Sequence, residues 1–251
     1  MTSAEPGELD LSIIIPAFNE EKRLPPTLDR LQSYLCDQPY RWEIIVVSNG
    51  STDRTEEVVR TAAAENSLIR LLVSPARGKG IACRLGALQS TGRAVFLCDA
   101  DLSMPPDHIG AFLGLLKAAD VVAGSREAIG AARYDEPWHR HLMGRVFNRL
   151  VQRIIVRGIN DTQCGFKAFR REAADDLFNR QTIRGFGFDV ELIYLAYKFG
   201  YRVVELGIDW HFDPDTRVRP GVDTLAMVRE LLSIRLRDWR GGYGRPEVIS
   251  G

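Results

Sequence analysis

Two carboxylates follow a short apolar run in the middle of the chain, at Asp99 and Asp101. The apolar residues 95–98 predict a buried strand, so both side chains are expected at its carboxyl end, where open α/β sheets bind their ligands. Two neighbouring carboxylates repel each other, and a divalent cation with oxygen ligands relieves that repulsion and can hold a diphosphate. The spacing alone also fits a helix cap beside a solvated carboxylate.

Three other predicted strands end in turns with unusual chemistry. Their sequences are PAFNE at 16–20, SNGSTD at 48–53 and RGKG at 77–80. Glycine and small hydroxyl residues let the backbone approach a ligand, and the amides and ammonium of the third turn suit a phosphate. The spacing of a P-loop is absent. Each turn taken singly also fits an ordinary helix start.

The elements that position these turns alternate between strand and helix. Strands are predicted at 11–15, 44–47, 69–73, 95–98 and 121–123, and helices at 24–35, 56–64, 81–89 and 107–118. This alternation predicts an α/β fold with right-handed crossovers and a mostly parallel sheet. A strand-like run at 203–210 lies between two amphipathic segments at 138–157 and 222–240.

The composition excludes several classes of protein. The 251 residues are 45% hydrophobic, which predicts a globular chain, and Lys plus Arg equals Asp plus Glu at 33 each, which disfavours nucleic acid as a partner. The four cysteines have no paired spacing, so reduced thiols in a cytoplasmic protein are expected. The first ten residues do not resemble a signal peptide, and no run predicts a membrane span.

The motifs together resemble a known enzyme family. IPAFNE, SNGSTD, RGKG, DADLS at 99–103 and GSR at 124–126 are similar to the nucleotide-sugar half of the inverting family-two glycosyltransferases with a GT-A fold. DTQCGFK at 161–167 and FDVEL at 188–192 more specifically resemble the branch of dolichyl-phosphate β-glucosyltransferase and dolichyl-phosphate mannose synthase. The resemblance implies a Rossmann-like, mostly parallel sheet with helices on both faces. It also implies hexose transfer from UDP-glucose or a related donor to a polyprenyl phosphate, with Mg²⁺ or Mn²⁺.

The resemblance assigns expected roles to individual residues. Asp99 and Asp101 would bind the metal and the diphosphate. The nucleotide-sugar pocket would include Pro16, Phe18, Glu20, Ser48 and Lys79, and the acceptor phosphate would be bound by Arg126, Arg217 and Arg219. The expected catalytic groups are Asp101, Asp189, Arg126 and Arg217.

Two departures from the family pattern affect these expectations. Many relatives have two aspartates after the second strand, the first of which reads the nucleotide base, whereas this chain has Ser48-Asn49. Serine is uncharged, so UDP is expected from the overall similarity and not from this residue. Ser103 stands where some mannose synthases have a glutamine as a further metal ligand.

The two amphipathic segments provide the evidence on the acceptor side. Segment 138–157 has no acidic residue, arginines at 145, 149, 153 and 157, and an apolar stripe of Leu142, Val146, Leu150 and Ile154. Segment 222–240 likewise combines apolar residues with arginines. Both predict helices that bury an apolar face in a membrane surface, or that pack on the domain with a solvated charged face. Arg217 and Arg219 form a candidate phosphate clamp between them.

The predicted organisation is a single GT-A domain over 11–240, with a donor half at 11–125 and an acceptor half at 126–240. Residues 1–10 are expected to be disordered and 241–251 to form a flexible tail. A phosphate acceptor is already ionised and needs no general base, whereas in the competing mechanism Asp189 is the base for a hydroxyl acceptor. The alternatives are a soluble family-two transferase, a GDP-mannose-dependent synthase, and an inactive sugar-nucleotide-binding scaffold.

Overall fold

The computed structural model describes residues 9–156, 158–214 and 222–244. The strands are β1 (Leu11–Ala17), β2 (Trp42–Ser48), β3 (Ile69–Val73), β4 (Ala94–Leu97), β5 (Val121–Ser125), β6 (Ala132–Tyr134), β7 (Lys167–Arg170), β8 (Val203–Gly207) and β9 (Asp209–His211). The helices are α1 (Leu24–Cys36), α2 (Thr55–Glu65), α3 (Lys79–Gln89), α4 (His108–Leu115), α5 (Trp138–Ile154), α6 (Arg171–Arg180), α7 (Phe188–Lys198) and α8 (Val222–Trp239).

Seven strands form one sheet in the order β3-β2-β1-β4-β7-β5-β8. All neighbours are parallel except that β7 runs antiparallel to both β4 and β5. The first residue of β7, Lys167, therefore pairs with Leu97 and Ala123 near the carboxyl ends of their strands. The DTQCGFK segment is thereby brought to the edge of the sheet where α/β proteins bind ligands.

Apolar side chains alternate between the two faces of the sheet, and each face is covered by helices. On β1, Ile13 and Ile15 join residues of α1 and α4 in one core, whereas Ile14 joins residues of α3, α6 and α7 in the other. This alternation follows from the two-residue repeat of a strand. The predicted α/β fold, with helices on both faces of a mostly parallel sheet, is confirmed.

The predicted elements of the amino-terminal half are all present within a few residues of their expected ends. The expected strand at 203–210 is divided into β8, in the main sheet, and β9, which pairs with β6. The elements β6, β7, α6 and α7 were not predicted. β6 and β7 have only three and four residues, and the first nine residues of α7 are all buried, so α7 shows no amphipathic repeat.

Both ends of the predicted domain need correction. The carbonyl of Leu9 accepts a hydrogen bond from the amide of Arg93 at 3.0 Å, and that of Asp10 accepts one from Ala94 at 2.9 Å, so residues 9 and 10 are ordered. Tyr243, placed in the flexible tail by the sequence, is buried, and its carbonyl accepts a hydrogen bond from Arg180. Local composition did not reveal these tertiary contacts.

The helices α5 and α8 each contact the domain along one side and leave apolar residues exposed on another. On α5, Phe147 and Val151 are buried, whereas Leu142 and Val146 are 52% and 58% exposed beside exposed arginines. On α8, Leu231 and Ile234 are buried, whereas Leu232, Leu236 and Trp239 are exposed. In the described ranges of the chain, every helix is too short or too polar to cross a membrane.

Candidate active site

A cavity of about 600 Å³ lies at the carboxyl edge of the sheet. Five of the predicted site residues line it: Lys79, Asp99, Asp101, Arg126 and Asp189. They come from α3, from the ends of β4 and β5, and from the start of α7, so residues separated by more than one hundred positions meet in one place. The cavity continues along α5, where Arg145 and Arg149 also line it.

The first carboxylate of the pair, Asp99, is held by a lysine and a glycine. The ammonium of Lys79 lies 2.6 Å from Asp99 Oδ1. Gly78, just before Lys79, has a φ of +142°, a backbone conformation that residues with a side chain rarely adopt. A Cβ added at Gly165 would lie 2.0 Å from Asp99 Oδ2. The glycine of the DTQCGFK motif is therefore required because the carboxylate lies directly against its backbone.

Asp101 faces the same cavity in a more apolar setting. Burial, together with the nearby negative charge of Asp99, raises the pKa of Asp101 to about 6, although hydrogen bonding from Ser103 opposes the shift. The amide of Ser103 donates to Asp101 Oδ1 at 3.1 Å. The shift follows because burial and a neighbouring like charge both disfavour the ionised form of this carboxyl.

This donor set fits a hard divalent cation bound jointly by protein and substrate. Carboxylate oxygens are the ligands that Mg²⁺ and Mn²⁺ favour, and a cation would remove the repulsion between Asp99 and Asp101. Within the described ranges no group of three or more potential ligand residues occurs. The remaining ligand positions would therefore fall to a bound diphosphate and to water.

Arg126 is fixed by an aspartate of the DTQCGFK motif. Its Nε and Nη2 donate to the two carboxylate oxygens of Asp161 at 2.6 and 3.0 Å, and its guanidinium lies 5.2 Å from the ring centre of Trp210. Burial acts to raise the pKa of Asp161, but Arg126 outweighs it and lowers that pKa to about 2. Glu205 accepts the amide of Asp161 at 3.0 Å. Arg126 thus enters the cavity already oriented by a bidentate pair.

Asp189 is neutralised by a second motif residue. Lys167 Nζ lies 2.7 Å from Asp189 Oδ1, and it also donates to the carbonyl of Cys164. Both side chains are almost fully buried. Burial raises the pKa of Asp189, while Lys167 and Lys79 oppose that shift. A carboxylate held in this way can orient charge at the edge of the cavity that it lines.

Of the residues expected in the nucleotide pocket, Lys79 lines this cavity, whereas four others do not: Pro16, Phe18, Glu20 and Ser48. Pro16 and Phe18 lie at the end of β1, where the Arg77 guanidinium is 4.6 Å from the Phe18 ring centre. The Glu20 carboxylate is 2.6 Å from Arg23 Nε.

Ser48, the residue that departs from the family pattern, is fully buried at the end of β2. Its hydroxyl donates to Glu56 Oε1 at 3.1 Å, so the serine is turned toward a carboxylate of α2. A base bound at this strand end would meet Ser48 only after a local movement.

The predicted phosphate clamp of Arg217 and Arg219 lies outside the described residues. Sequence reasoning assigned no role to Asp161 or Lys167, although each makes the central ion pair of a site residue. Their only sequence signal was their place in DTQCGFK, because the residues that they pair with are distant along the chain. Arg77 was likewise noted only as part of a turn.

Comparison with known proteins places these features in a family. The family described as "Glycosyl transferase family 2" matches residues 12–178. A protein of Trichomonas vaginalis named dolichyl-phosphate beta-glucosyltransferase is 36% identical over 231 residues, which cover 87% of this chain and 68% of that protein. The human protein of the same name is 35% identical over 254 residues, covering 93% of this chain and 77% of its own length.

Solved structures share the fold at low sequence identity. Glucosyl-3-phosphoglycerate synthase of Mycobacterium tuberculosis superposes with a TM-score of 0.66 and 22% identity, covering 96% of this chain and 82% of that protein. The same enzyme in complex with Mn²⁺ and UDP-glucose superposes with a TM-score of 0.66 and 22% identity, covering 96% and 81% of the two chains. The architecture is that of the GT-A glycosyltransferases.

Proposed function

This chain belongs to glycosyl transferase family 2, and we propose that it transfers glucose from UDP-glucose to a dolichyl-type polyprenyl phosphate with inversion. Relatives in Trichomonas vaginalis and human that match most of the chain are named dolichyl-phosphate beta-glucosyltransferases, which supports this acceptor and this sugar. The solved enzyme in complex with Mn²⁺ and UDP-glucose supports the donor.

The observation that carries the proposal is that one cavity is lined by the carboxylate pair and by arginines from the acceptor side. Asp99 and Asp101 lie at the end of β4, whereas Arg145 and Arg149 extend from α5. A transfer between two phosphorylated substrates needs a place for each anion, and arginine is the side chain best suited to bind a phosphate. The exposed apolar residues of α5 lie on the same helix, where the lipid chain of an acceptor would leave the cavity.

The proposed reaction is a direct displacement at the anomeric carbon. A phosphate oxygen of the acceptor forms a bond to that carbon, and the bond to the diphosphate breaks with its electron pair, so that UDP leaves. The acceptor phosphate has a second pKa of about 6 and is ionised near neutral pH, so no proton has to be removed. Arg126 and the α5 arginines would hold the two anions in line, which is the main requirement of such a step.

The leaving diphosphate requires a positive environment. Asp99 and Asp101 would hold Mg²⁺ or Mn²⁺, and the ion would supply charge stabilisation for the diphosphate. The ammonium of Lys79, 2.6 Å from Asp99, would add a second positive charge beside the diphosphate. Asp189, paired with Lys167, would orient the donor sugar or the acceptor and would not serve as a base.

We also propose that α5 and α8 rest on an anionic membrane surface. Leu142, Val146 and Trp239 are exposed, and arginines lie beside them on both helices. Each arginine near an anionic surface strengthens the free energy of membrane binding by about 1 kcal/mol. Sedimentation with phosphatidylserine vesicles at low salt should decrease as salt is added. Absence of binding at low salt would contradict this attachment.

The central test of the function is turnover with UDP-glucose and a polyprenyl phosphate, measured by formation of the glucosylated lipid and by release of UDP. Transfer to the lipid with little hydrolysis is the expected result. Release of UDP at the same rate without the lipid would indicate a hydrolase, and transfer only to a free sugar hydroxyl would contradict the phosphate acceptor.

A donor panel tests the base and the sugar. With one polyprenyl phosphate, UDP-glucose should give a higher kcat/KM than GDP-mannose, GDP-glucose or UDP-galactose. Tighter binding of GDP than of UDP in calorimetry would overturn the assignment of uracil. This comparison matters because Ser48 replaces the acidic base reader and is directed at Glu56.

A further inference from the structure

Glu191 belongs to the FDVEL motif, but it lies away from the cavity. Its side chain is fully buried and is not among the groups that line the cavity. Its carboxylate accepts hydrogen bonds from the amide of Ile183 at 2.7 Å, from the hydroxyl of Thr182 at 2.6 Å and from the hydroxyl of Tyr243 at 2.6 Å. The amide of Thr182 donates to both oxygens at 3.0 Å. Residues 182 and 183 of a short loop and Tyr243 of the turn after α8 thus donate hydrogen bonds to this buried carboxylate.

The loop that Glu191 holds supports the glycine turn of the donor site. The amide of Gly80 donates to the carbonyl of Arg184 at 3.0 Å, and the side-chain amide of Gln181 donates to the carbonyl of Gly80 at 2.9 Å. A Cβ at Gly78 would lie 2.3 Å from the Arg184 carbonyl oxygen. The backbone on both sides of Lys79 is thus fixed by contact with residues 181–184.

We infer that Glu191 is a positioning residue for the donor site, which acts through the 181–184 loop on the turn that presents Lys79 to Asp99. Tyr243 completes the same network, so the carboxyl-terminal turn is linked to the carboxylate pair. The part of this inference that concerns turnover rests on the proposed function.

Glu191 can position the donor site because several hydrogen bonds from the 181–184 loop and from Tyr243 converge on its carboxylate. In Glu191→Gln, one carboxylate oxygen becomes an NH₂ group, which cannot accept a hydrogen bond from the donors of Thr182, Ile183 and Tyr243. Because Glu191 is fully buried, water cannot replace the acceptor that these donors lose. Within the glycine turn, Gly78 has a φ of +142° and no side chain to limit its conformation. The Lys79 ammonium would then spend less time at Asp99.

The test compares two variants of the network with a matched control. Glu191→Gln changes the acceptor, and Tyr243→Phe removes a single donated hydrogen bond. Tyr194→Phe is the control, because the Tyr194 hydroxyl also donates to a carboxylate, but to that of Asp238 in α8 and not to Glu191. All four proteins, including the wild type, are compared well below their unfolding temperatures, which are measured for each. A general loss of stability would appear in the control as well.

The first readout does not depend on activity. Brief acylation with acetic anhydride, followed by peptide mass spectrometry, reports how often the Lys79 amine leaves its partner. Glu191→Gln and Tyr243→Phe should increase the acylation rate of Lys79 about threefold to tenfold, as expected for the loss of one to two hydrogen bonds. Tyr194→Phe should leave it at the wild-type rate. Hydrogen exchange at the Gly80 amide should follow the same order.

The second readout is kinetic. The KM for UDP-glucose should rise by about the same threefold to tenfold factor in both network variants, with kcat changed by less than about twofold. Unchanged Lys79 acylation in both network variants, or an equal change in the Tyr194→Phe control, would overturn the inference. If Glu191→Gln does not fold, Tyr243→Phe and Thr182→Val decide the question. If the wild type transfers no glucose, the proposed function fails, and acylation alone decides the role of Glu191.

Discussion

Substitution of Gly165 by alanine is the sharpest test of the candidate site. The added Cβ would lie 2.0 Å from Asp99 Oδ2 and 2.6 Å from Asp99 Cγ, whereas ordinary contacts begin at 3.4 Å. The carboxylate must therefore move by about 1.4 Å, a distance that removes it from its 2.6 Å contact with Lys79. One methyl group would therefore disturb both the proposed metal ligand Asp99 and its partner Lys79.

The expected loss is large for activity and small for stability. A displacement of about 1 Å in a reacting group costs on the order of 100-fold in rate, or about 2.7 kcal/mol of transition-state stabilisation. Overpacking of this kind lowers the free energy of unfolding by about 1–3 kcal/mol, which leaves most domains folded. We therefore expect Gly165→Ala to be folded, with kcat/KM for UDP-glucose reduced about 100-fold.

The assay is initial-rate transfer from UDP-glucose to a polyprenyl phosphate, with calorimetry of UDP and Mn²⁺ binding in parallel. Gly114→Ala in α4 is the matched control, because an added Cβ there meets nothing within 4 Å. It should retain full activity and become slightly more stable, since alanine favours a helix over glycine by about 1 kcal/mol. If Gly165→Ala keeps kcat/KM within threefold of the wild type, Asp99 does not act at the position assigned to it.

Three further predictions concern charge. Lys167→Met leaves the buried Asp189 without its ion-pair partner and should lower the free energy of unfolding, measured in urea, by about 3–5 kcal/mol. Adding Asp189→Asn should restore most of this loss; if it restores little, the ion pair is not the cause. The pKa of Asp161, lowered to about 2, contributes stability above its unfolded pKa of about 3.9 that is lost as the pH falls toward 2. Urea unfolding between pH 2 and 5 should therefore show a steep decline that Asp161→Asn flattens, and an unchanged slope would refute this. EDTA should abolish glucose transfer, and added Mn²⁺ should restore it. Asp101→Asn should slow transfer on the order of 100-fold or more. Full turnover in EDTA would contradict the proposed metal site.

The secondary structure of the amino-terminal half was predictable because its signals are local. A strand buried on both faces is a continuous apolar run, and the helices that follow carry an apolar repeat of 3.6 residues. The turns after β1, β2 and β3 were also recognisable, because glycine and polar residues interrupt these runs. The correct prediction of Asp99 and Asp101 at a strand end depended on this local pattern alone.

The acceptor half was less predictable, because several of its elements are short, as β6 and β7 are, or almost completely buried, as α7 is. β7 has four residues, and its place between β4 and β5 depends on non-local pairing that leaves no periodic trace. Tyr243 was assigned to a flexible tail, yet its hydroxyl donates a hydrogen bond to Glu191, which lies 52 positions away in the sequence. Local composition carries no information about such a contact.

Local sequence patterns identified the strands and helices of the amino-terminal half, the turns at the strand ends and the residue types available for chemistry. The tertiary structure decided how the charges are paired: Lys79 with Asp99, Arg126 with Asp161 and Lys167 with Asp189. These pairs join residues 20 to 35 positions apart. Asp161 and Lys167 reach their partners because β7 inserts antiparallel between β4 and β5, whereas Lys79 meets Asp99 where α3 begins beside the end of β4. Because the energy of a charge depends on burial and on the distance to its partner, the fold alone determines which carboxylates are neutralised and which remain available to a cation.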